Sequence, residues 1–377
     1  MPKIRVLVVD DSVVIRRMLS DVLSGEPDIE VAGAAADGSI ALQKIEQVSP
    51  DIVILDVEMP VMEGLETLKE LRRTHRRLPV IMFSTLTERG ASATMDALAL
   101  GACDYVTKPA NVGSAAAALE KIRAELIPKI RAHAPQAPGC TADHASIPGL
   151  VISTPPSRLS KVRPLTSRVE VVAIGTSTGG PNALADLLPL LPKNFPVPVL
   201  IVQHMPPIFT KFLADRLASK SQIPVSEAAN HEELLPAHAY IAPGDFHIGV
   251  EQSKDRIRIR THQGQQENSC RPSVDVLFRS VAEVYGNATL AIIMTGMGQD
   301  GLRGCERICD AGGQILAQDK TSSVVWGMPG YVANAGLADA VLPLGFLAAE
   351  IVRRVGVGRR PESYSRPISI VENRNPR

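Results

Sequence analysis

Between residues 4 and 131 the chain alternates five times between a short apolar run and a helix-length amphipathic stretch. The runs are 4–9 (IRVLVV), 29–34, 52–55, 79–83 and 104–107, and the stretches are 13–24, 38–48, 64–74, 91–100 and 113–131. A run rich in Val and Ile without polar alternation suits a strand covered on both faces, and such strands pair in parallel through helical crossovers. Five repeats of that unit predict an α/β domain with a five-stranded, doubly wound parallel sheet.

Residues 135–168 break the pattern with six prolines among scattered Ser and Thr, which reads as an extended linker. Apolar runs resume at 169–174, 197–202 and 289–294, with helices expected near 181–191, 208–219, 273–284, 301–311 and 344–354. Residues 245–261 read as a hairpin, and 358–377 as a polar tail. The division expected is therefore 1–130, a linker over 131–168, a second α/β domain over 169–357 that is doubly wound and mainly parallel, and the tail.

Two domains suit 377 residues, and with 45% apolar but only 3% aromatic side chains their cores must be aliphatic. Formal net charge is zero and no region is strongly basic, which argues against a nucleic-acid partner. Five cysteines without paired spacing suggest reduced thiols. The N-terminus lacks the pattern of a signal peptide and no apolar run reaches the ~18 residues of a membrane span. A cytoplasmic protein without membrane insertion is expected.

Chemistry-bearing residues gather at the ends of four of the first five runs: Asp10 and Asp11 after the first, Asp56 after the third, Ser84 after the fourth and Lys108 after the fifth. In an open α/β sheet these positions share one crevice. Clustered carboxylates repel unless a hard cation such as Mg²⁺ neutralises them. A carboxylate can also attack phosphorus, and a lysine and a hydroxyl can then hold the phosphoryl oxygens. Lys108-Pro109 is a candidate cis peptide. With Ile54-Leu55-Asp56, Met59-Pro60, Gly64 and Tyr105-Val106-Thr107-Lys108-Pro109, residues 3–125 resemble the response-regulator receiver family, whose fold is flavodoxin-like. The resemblance implies Asp56 as phosphoacceptor and Asp10, Asp11 and the Glu58 carbonyl around Mg²⁺. It further implies Ser84 and Tyr105 as a switch pair, and a histidine kinase as phosphodonor.

In the second half, Gly175-Thr176-Ser177-Thr178-Gly179-Gly180-Pro181 takes a strand directly into a glycine-rich turn and a helix. Such turns commonly bind phosphate, but this one lacks the lysine of a P-loop and is not G-x-G-x-x-G. It does match G-x-S-x-G, in which a sharp turn lifts a serine hydroxyl off the sheet. A serine nucleophile needs a base, and the base an orienting acid. His204 ends the run 199–203, and Asp300 follows the run 290–294 in a glycine-rich loop. If the three strands are parallel, Ser177, His204 and Asp300 meet at one edge. His247 is the strongest competitor for the base. The order Ser, His, Asp differs from the Ser, Asp, His of α/β-hydrolases. The Thr178 N–H is a candidate oxyanion donor by position.

Taken with Gln203-His204-Met205-Pro206, Ala242-Pro243-Gly244, Arg271-Pro272-Ser273-Val274-Asp275, Thr295-Gly296-Met297-Gly298-Gln299-Asp300-Gly301 and Trp326-Gly327-Met328-Pro329-Gly330, residues 3–355 resemble the chemotaxis protein-glutamate methylesterase (CheB) family. Gln299 departs from the Asn common there. The resemblance implies hydrolysis of γ-glutamyl methyl esters and deamidation of glutamines on chemoreceptor cytoplasmic domains, without a cofactor for the ester chemistry. It adds the Met297 N–H as an oxyanion donor, and control of access to Ser177 by phosphorylation of Asp56. The alternative is a receiver fused to a non-catalytic output domain that binds a nucleotide or a partner.

Overall fold

A computed structural model describes residues 3–109, 114–134, 168–253 and 256–359. Most of the linker expected from composition, and all but the start of the tail, fall outside these residues.

The first unit is built from β1 (Ile4–Val9), α1 (Val13–Ser24), β2 (Ile29–Ala35), α2 (Gly38–Val48), β3 (Ile52–Asp56), α3 (Gly64–Thr74), β4 (Val80–Ser84), α4 (Glu88–Ala99), β5 (Asp104–Thr107) and α5 (Ala115–His133). The sheet order is β2-β1-β3-β4-β5 and every pairing is parallel. β3 and β4 are buried throughout, as runs without alternation require. Helix starts follow capping chemistry: Ser12, Asp37, Thr87 and Ser114 each accept a backbone N–H of the first turn. Thr87 sets the start of α4 at Glu88, ahead of the 91 expected from periodicity. α5 continues to His133, past the position where the linker was expected to begin.

The second unit contains β6 (Val171–Thr176), α6 (Gly180–Leu187), β7 (Val199–Gln203), α7 (Phe209–Ala218), β8 (Val225–Glu227), β9 (Ala239–Ile241), β10 (His247–Ser253), β11 (Arg256–His262), α8 (Val274–Tyr285), β12 (Thr289–Ile293), α9 (Leu302–Asp310), β13 (Gln314–Gln318), α10 (Met328–Asn334), β14 (Ala340–Leu342) and α11 (Leu344–Gly356). Seven strands form one parallel sheet in the order β14-β13-β12-β6-β7-β9-β8, and β10 and β11 form the expected antiparallel hairpin. From β6 the chain adds β7, then β8 at the edge with β9 inserted between them, then returns to add β12, β13 and β14 on the other side. This reversal makes β6 and its two neighbours the switch point, where an open α/β sheet places its binding crevice.

A hydrophobic cluster joins the two units. It includes Met95, Leu98, Ala102 and Tyr105 of the first and Ala183, Leu184, Phe209 and Leu213 of the second. Among the described residues no helix is long and apolar enough to cross a membrane.

Candidate active site and phosphoacceptor pocket

Ser177 follows β6, His204 follows β7 and Asp300 lies just beyond β12, so the three stand at the carboxyl ends of adjacent parallel strands. The turn that carries Ser177 is held by unusual backbone proximity. Gly179 has φ 77°, which a β-branched residue resists. A Cβ on Gly296 would lie 2.8 Å from Ser177 Cβ, so only glycine lets the loop after β12 come this close. Two polar ties fix the turn further. The Ser177 N–H donates to the Thr295 carbonyl at 3.0 Å. Gln203 Nε2 donates to the carbonyls of Ser177 at 2.9 Å and His204 at 3.1 Å.

His204 donates from Nε2 to Asp300 Oδ2 at 2.8 Å. Asp300 is 2% exposed, and its charge is met by a cage of donors. Oδ1 accepts from Asn268 Nδ2 (2.9 Å), Ser273 Oγ (2.8 Å), the Asp275 N–H (3.1 Å) and the Gly301 N–H (3.0 Å). Oδ2 also accepts from the Val274 N–H at 2.7 Å. Burial alone would raise this carboxyl, but the His204 hydrogen bond and charge, with the backbone donors, hold it down at about 2. Burial would lower His204, yet the bond to Asp300, and after it the Cys270 contact, push it up to about 10. His204, Cys270 and Asp300 lie within metal-binding reach of one another, but six donors already engage the Asp300 oxygens, which leaves no free acceptor for an ion.

Ser177 Oγ makes no hydrogen bond among the described residues, so the structure brings His204 to Asp300 without closing the serine contact. The backbone N–H groups of Thr178 and Met297 likewise donate to no protein group among the described residues. Free donors beside a nucleophile are what an oxyanion site needs. His247 is removed as a competitor: it is fully buried, with Nε2 against the Gln265 carbonyl and Nδ1 accepting the Ser273 N–H.

The sequence reading missed the cage around Asp300. Asn268, Ser273 and the start of α8 approach through tertiary contact, and only the Arg271–Asp275 motif marked that segment.

In the first unit, Lys108 Nζ bridges Asp10 Oδ2 and Asp56 Oδ2, each at 2.8 Å. Burial, and then the charge of Asp10, raise Asp56 to about 6, against the lowering effect of Lys108. Oxygens of Asp10, Asp11 and Asp56 lie within 4.8 Å of one another. Three carboxylates face one ammonium there, and an all-oxygen, net-negative set fits a hard divalent cation. The Glu58 N–H reaches Asp56 Oδ1 at 3.4 Å, and its carboxylate pairs with Arg89 at 3.1 Å. Ser84 Oγ is turned away to the Gly90 carbonyl at 3.0 Å. Among the described residues the cis peptide is Arg271–Pro272, which corrects the expectation for Lys108–Pro109.

Tyr105 points out of this pocket into the second unit. Its ring stacks on Phe209 with centroids 5.2 Å apart and planes 16° from parallel. Beside it Asn182 Nδ2 donates to the Ala102 carbonyl at 3.2 Å, and Arg216 donates to Asn182 Oδ1 at 3.1 Å. Phe209 opens α7 five residues after His204, so the contact with the first unit and His204 share one short segment.

The family model described as "CheB methylesterase" matches residues 172–351, and that described as "Response regulator receiver domain" matches 6–120. A protein-glutamate methylesterase/protein-glutamine glutaminase of Trichodesmium erythraeum is 55% identical over 94% of this chain and 100% of its own length. One from a Nocardioides species is 51% identical over 94% of this chain and 96% of its own. The solved catalytic domain of Thermotoga maritima CheB methylesterase is 44% identical over 49% of this chain and 98% of that one, with a TM-score of 0.49.

Proposed function

Because this chain belongs to the CheB methylesterase family and carries a receiver domain ahead of the esterase domain, we propose that Ser177, His204 and Asp300 are its catalytic triad and that Asp56 controls access to them. The enzyme is a protein-glutamate methylesterase and glutaminase. A non-catalytic output domain is not favoured. The substrates under this reading are γ-glutamyl methyl esters and glutamines of chemoreceptor cytoplasmic domains. The receiver spans 1–133, to the end of α5, and the esterase 169–357, joined by the residues between. The protein works in the cytoplasm, without nucleic acid.

The observation that carries the reading is the placement of the three residues on adjacent strands at the switch point, with Asp300 caged against His204. With Nε2 on Asp300, Nδ1 is the nitrogen left to act as base. Ser177 Oγ gives its proton to Nδ1 and attacks the ester carbonyl. The oxyanion rests on the N–H groups of Met297 and Thr178, one such donor being worth ~10²–10³ in rate. The tetrahedral species collapses, the C–O bond to the leaving group breaks, and His204 returns the proton so that methanol departs. Water, deprotonated by His204, then cleaves the acyl-enzyme to glutamate. Asp300 holds the ring and stabilises the imidazolium throughout.

On the receiver, Asp56 takes a phosphoryl group from a histidine kinase. Asp10, Asp11, Asp56 and the Glu58 carbonyl would hold Mg²⁺, which supplies charge neutralisation between carboxylates and phosphoryl oxygens. Lys108 and Ser84 then bind the phosphoryl oxygens, and Tyr105 leaves Phe209, loosening the contact between the units as a population shift. The deciding experiment is methanol release from methylated receptor, with and without phosphodonor. Ser177→Ala should lose several orders of magnitude and keep phosphorylation of Asp56. A Ser177→Ala enzyme of near wild-type rate ends this reading.

A further inference from the structure

The reaction requires one nitrogen of His204 for Asp300 and the other for Ser177. Nδ1, the second, already has a neighbour: Cys270 Sγ stands 3.6 Å from it. That separation is within hydrogen-bond range for sulfur, whereas Ser177 Oγ has no such partner among the described residues.

The thiol is delivered there by a built feature. Glu267 and Cys270 exchange backbone hydrogen bonds at 3.2 and 2.8 Å across a tight turn. Both central residues are left-handed, Asn268 with φ 51° and Ser269 with φ 60°. Positive φ at both centres is the type I′ geometry, which favours Asn at the first. Asn268 then donates its amide to Asp275 Oδ2 and Asp300 Oδ1, each at 2.9 Å. The carboxylate that orients His204 therefore also anchors the turn that carries Cys270. Cys270 is half-buried.

The charged or titratable groups around the imidazole are Asp300 from the loop after β12, Cys270 from this turn and Asp275 from the first turn of α8, which acts through Asn268 and Asp300. A thiol beside an imidazole shares a proton with it, as S–H···N or as thiolate and imidazolium. In the first form the Nδ1 lone pair is engaged, and in the second Nδ1 is protonated. Neither form can take the Ser177 proton.

We propose that Cys270 is a positioning residue that gates the esterase: its thiol occupies Nδ1 of His204 at rest and must leave before Ser177 is activated. The inference rests on the triad assignment above. Both partners of His204 raise its proton affinity, so removing the thiol makes the neutral ring available at lower pH.

The test uses the full chain as wild type, Cys270→Ala and Cys270→Ser, measuring kcat/KM for methanol release against pH without phosphodonor. Cys270→Ala should raise the rate about three- to tenfold at neutral pH, the scale of one hydrogen bond. It should also move the rising limb to lower pH, with Cys270→Ser between it and wild type. A fall in rate, or a limb that coincides with wild type, overturns the proposal. A second measurement needs no Cys270 variant to fold: alkylation of Cys270 by iodoacetamide, followed on its peptide by mass spectrometry, in wild type, Ser177→Ala and His204→Gln. The pairing predicts that the alkylation rate changes in His204→Gln and keeps its wild-type value in Ser177→Ala. Equal rates in all three overturn it. An active Ser177→Ala enzyme would instead sink the triad assignment, and the alkylation result separates the two failures.

Discussion

The stacked pair Tyr105–Phe209 offers a direct test of the proposal that the receiver restrains the esterase. Phe209 is fully buried and Tyr105 is 6% exposed, so both rings leave water at the contact. An aromatic pair of this geometry contributes about 0.5–1.5 kcal/mol beyond area burial. Substituting Leu keeps apolar volume and removes the stacking, which limits damage within each unit. Three variants complete a cycle: Tyr105→Leu, Phe209→Leu and the double. If the docked form dominates without phosphate, unstimulated activity tracks the small open fraction. A coupling of that size then corresponds to roughly two- to twelvefold in activity. The assay is methanol release from methylated receptor without phosphodonor, repeated with saturating phosphodonor. Each single variant should be faster than wild type at rest, the double should fall short of the product of the singles, and the stimulated rates should converge. Slower unstimulated variants, or effects that multiply without coupling, would refute the claim that this contact holds the enzyme shut.

Three further outcomes follow from the geometry. Asp56 binds its proton more tightly folded than unfolded, with a folded value of about 6 against an ordinary 3.8. Stability contributed by this group is therefore lost as pH rises from about 4 to 6, by up to ~3 kcal/mol. Calorimetry in metal-free buffer should show that loss flattened in Asp56→Asn, and millimolar Mg²⁺ should raise the Tm of wild type much more than that of the variant; parallel pH curves would count against it. Gly296→Ala places a methyl 2.8 Å from Ser177 Cβ and 3.0 Å from Ser177 N, so kcat should fall ~10²-fold with KM little changed, as a displaced nucleophile demands. Asp300→Asn breaks a cage in which every partner is a donor, and the amide cannot accept at both positions. Steady-state assays should show a kcat loss of about 10³–10⁴ together with a lower Tm, and an unchanged Tm would mean the cage is not structural.

How far this site could be read from sequence depends on what placed each residue. Ser177, His204, Asp300, Asp10, Asp56 and Lys108 are legible because each follows an apolar run at or near its end, and parallel strands bring such ends together whatever the loops do. The three-residue strands β8, β9 and β14 are too short to show a period, and β13 hides because glutamines close both ends of its apolar centre. Those glutamines have structural work: Gln318 Oε1 accepts the Thr295 N–H at 2.8 Å and so steadies the loop that covers Ser177. The Asp300 cage was invisible for a different reason. Asn268 and Ser273 make their contacts 32 and 27 residues from Asp300, through a loop whose path is set by left-handed turn residues rather than by any periodicity. The same loop carries Cys270 to the base. Strand ends thus fix which groups meet, while irregular backbone fixes which nitrogen of the imidazole each group meets, and it is the second choice that decides when His204 is free to act.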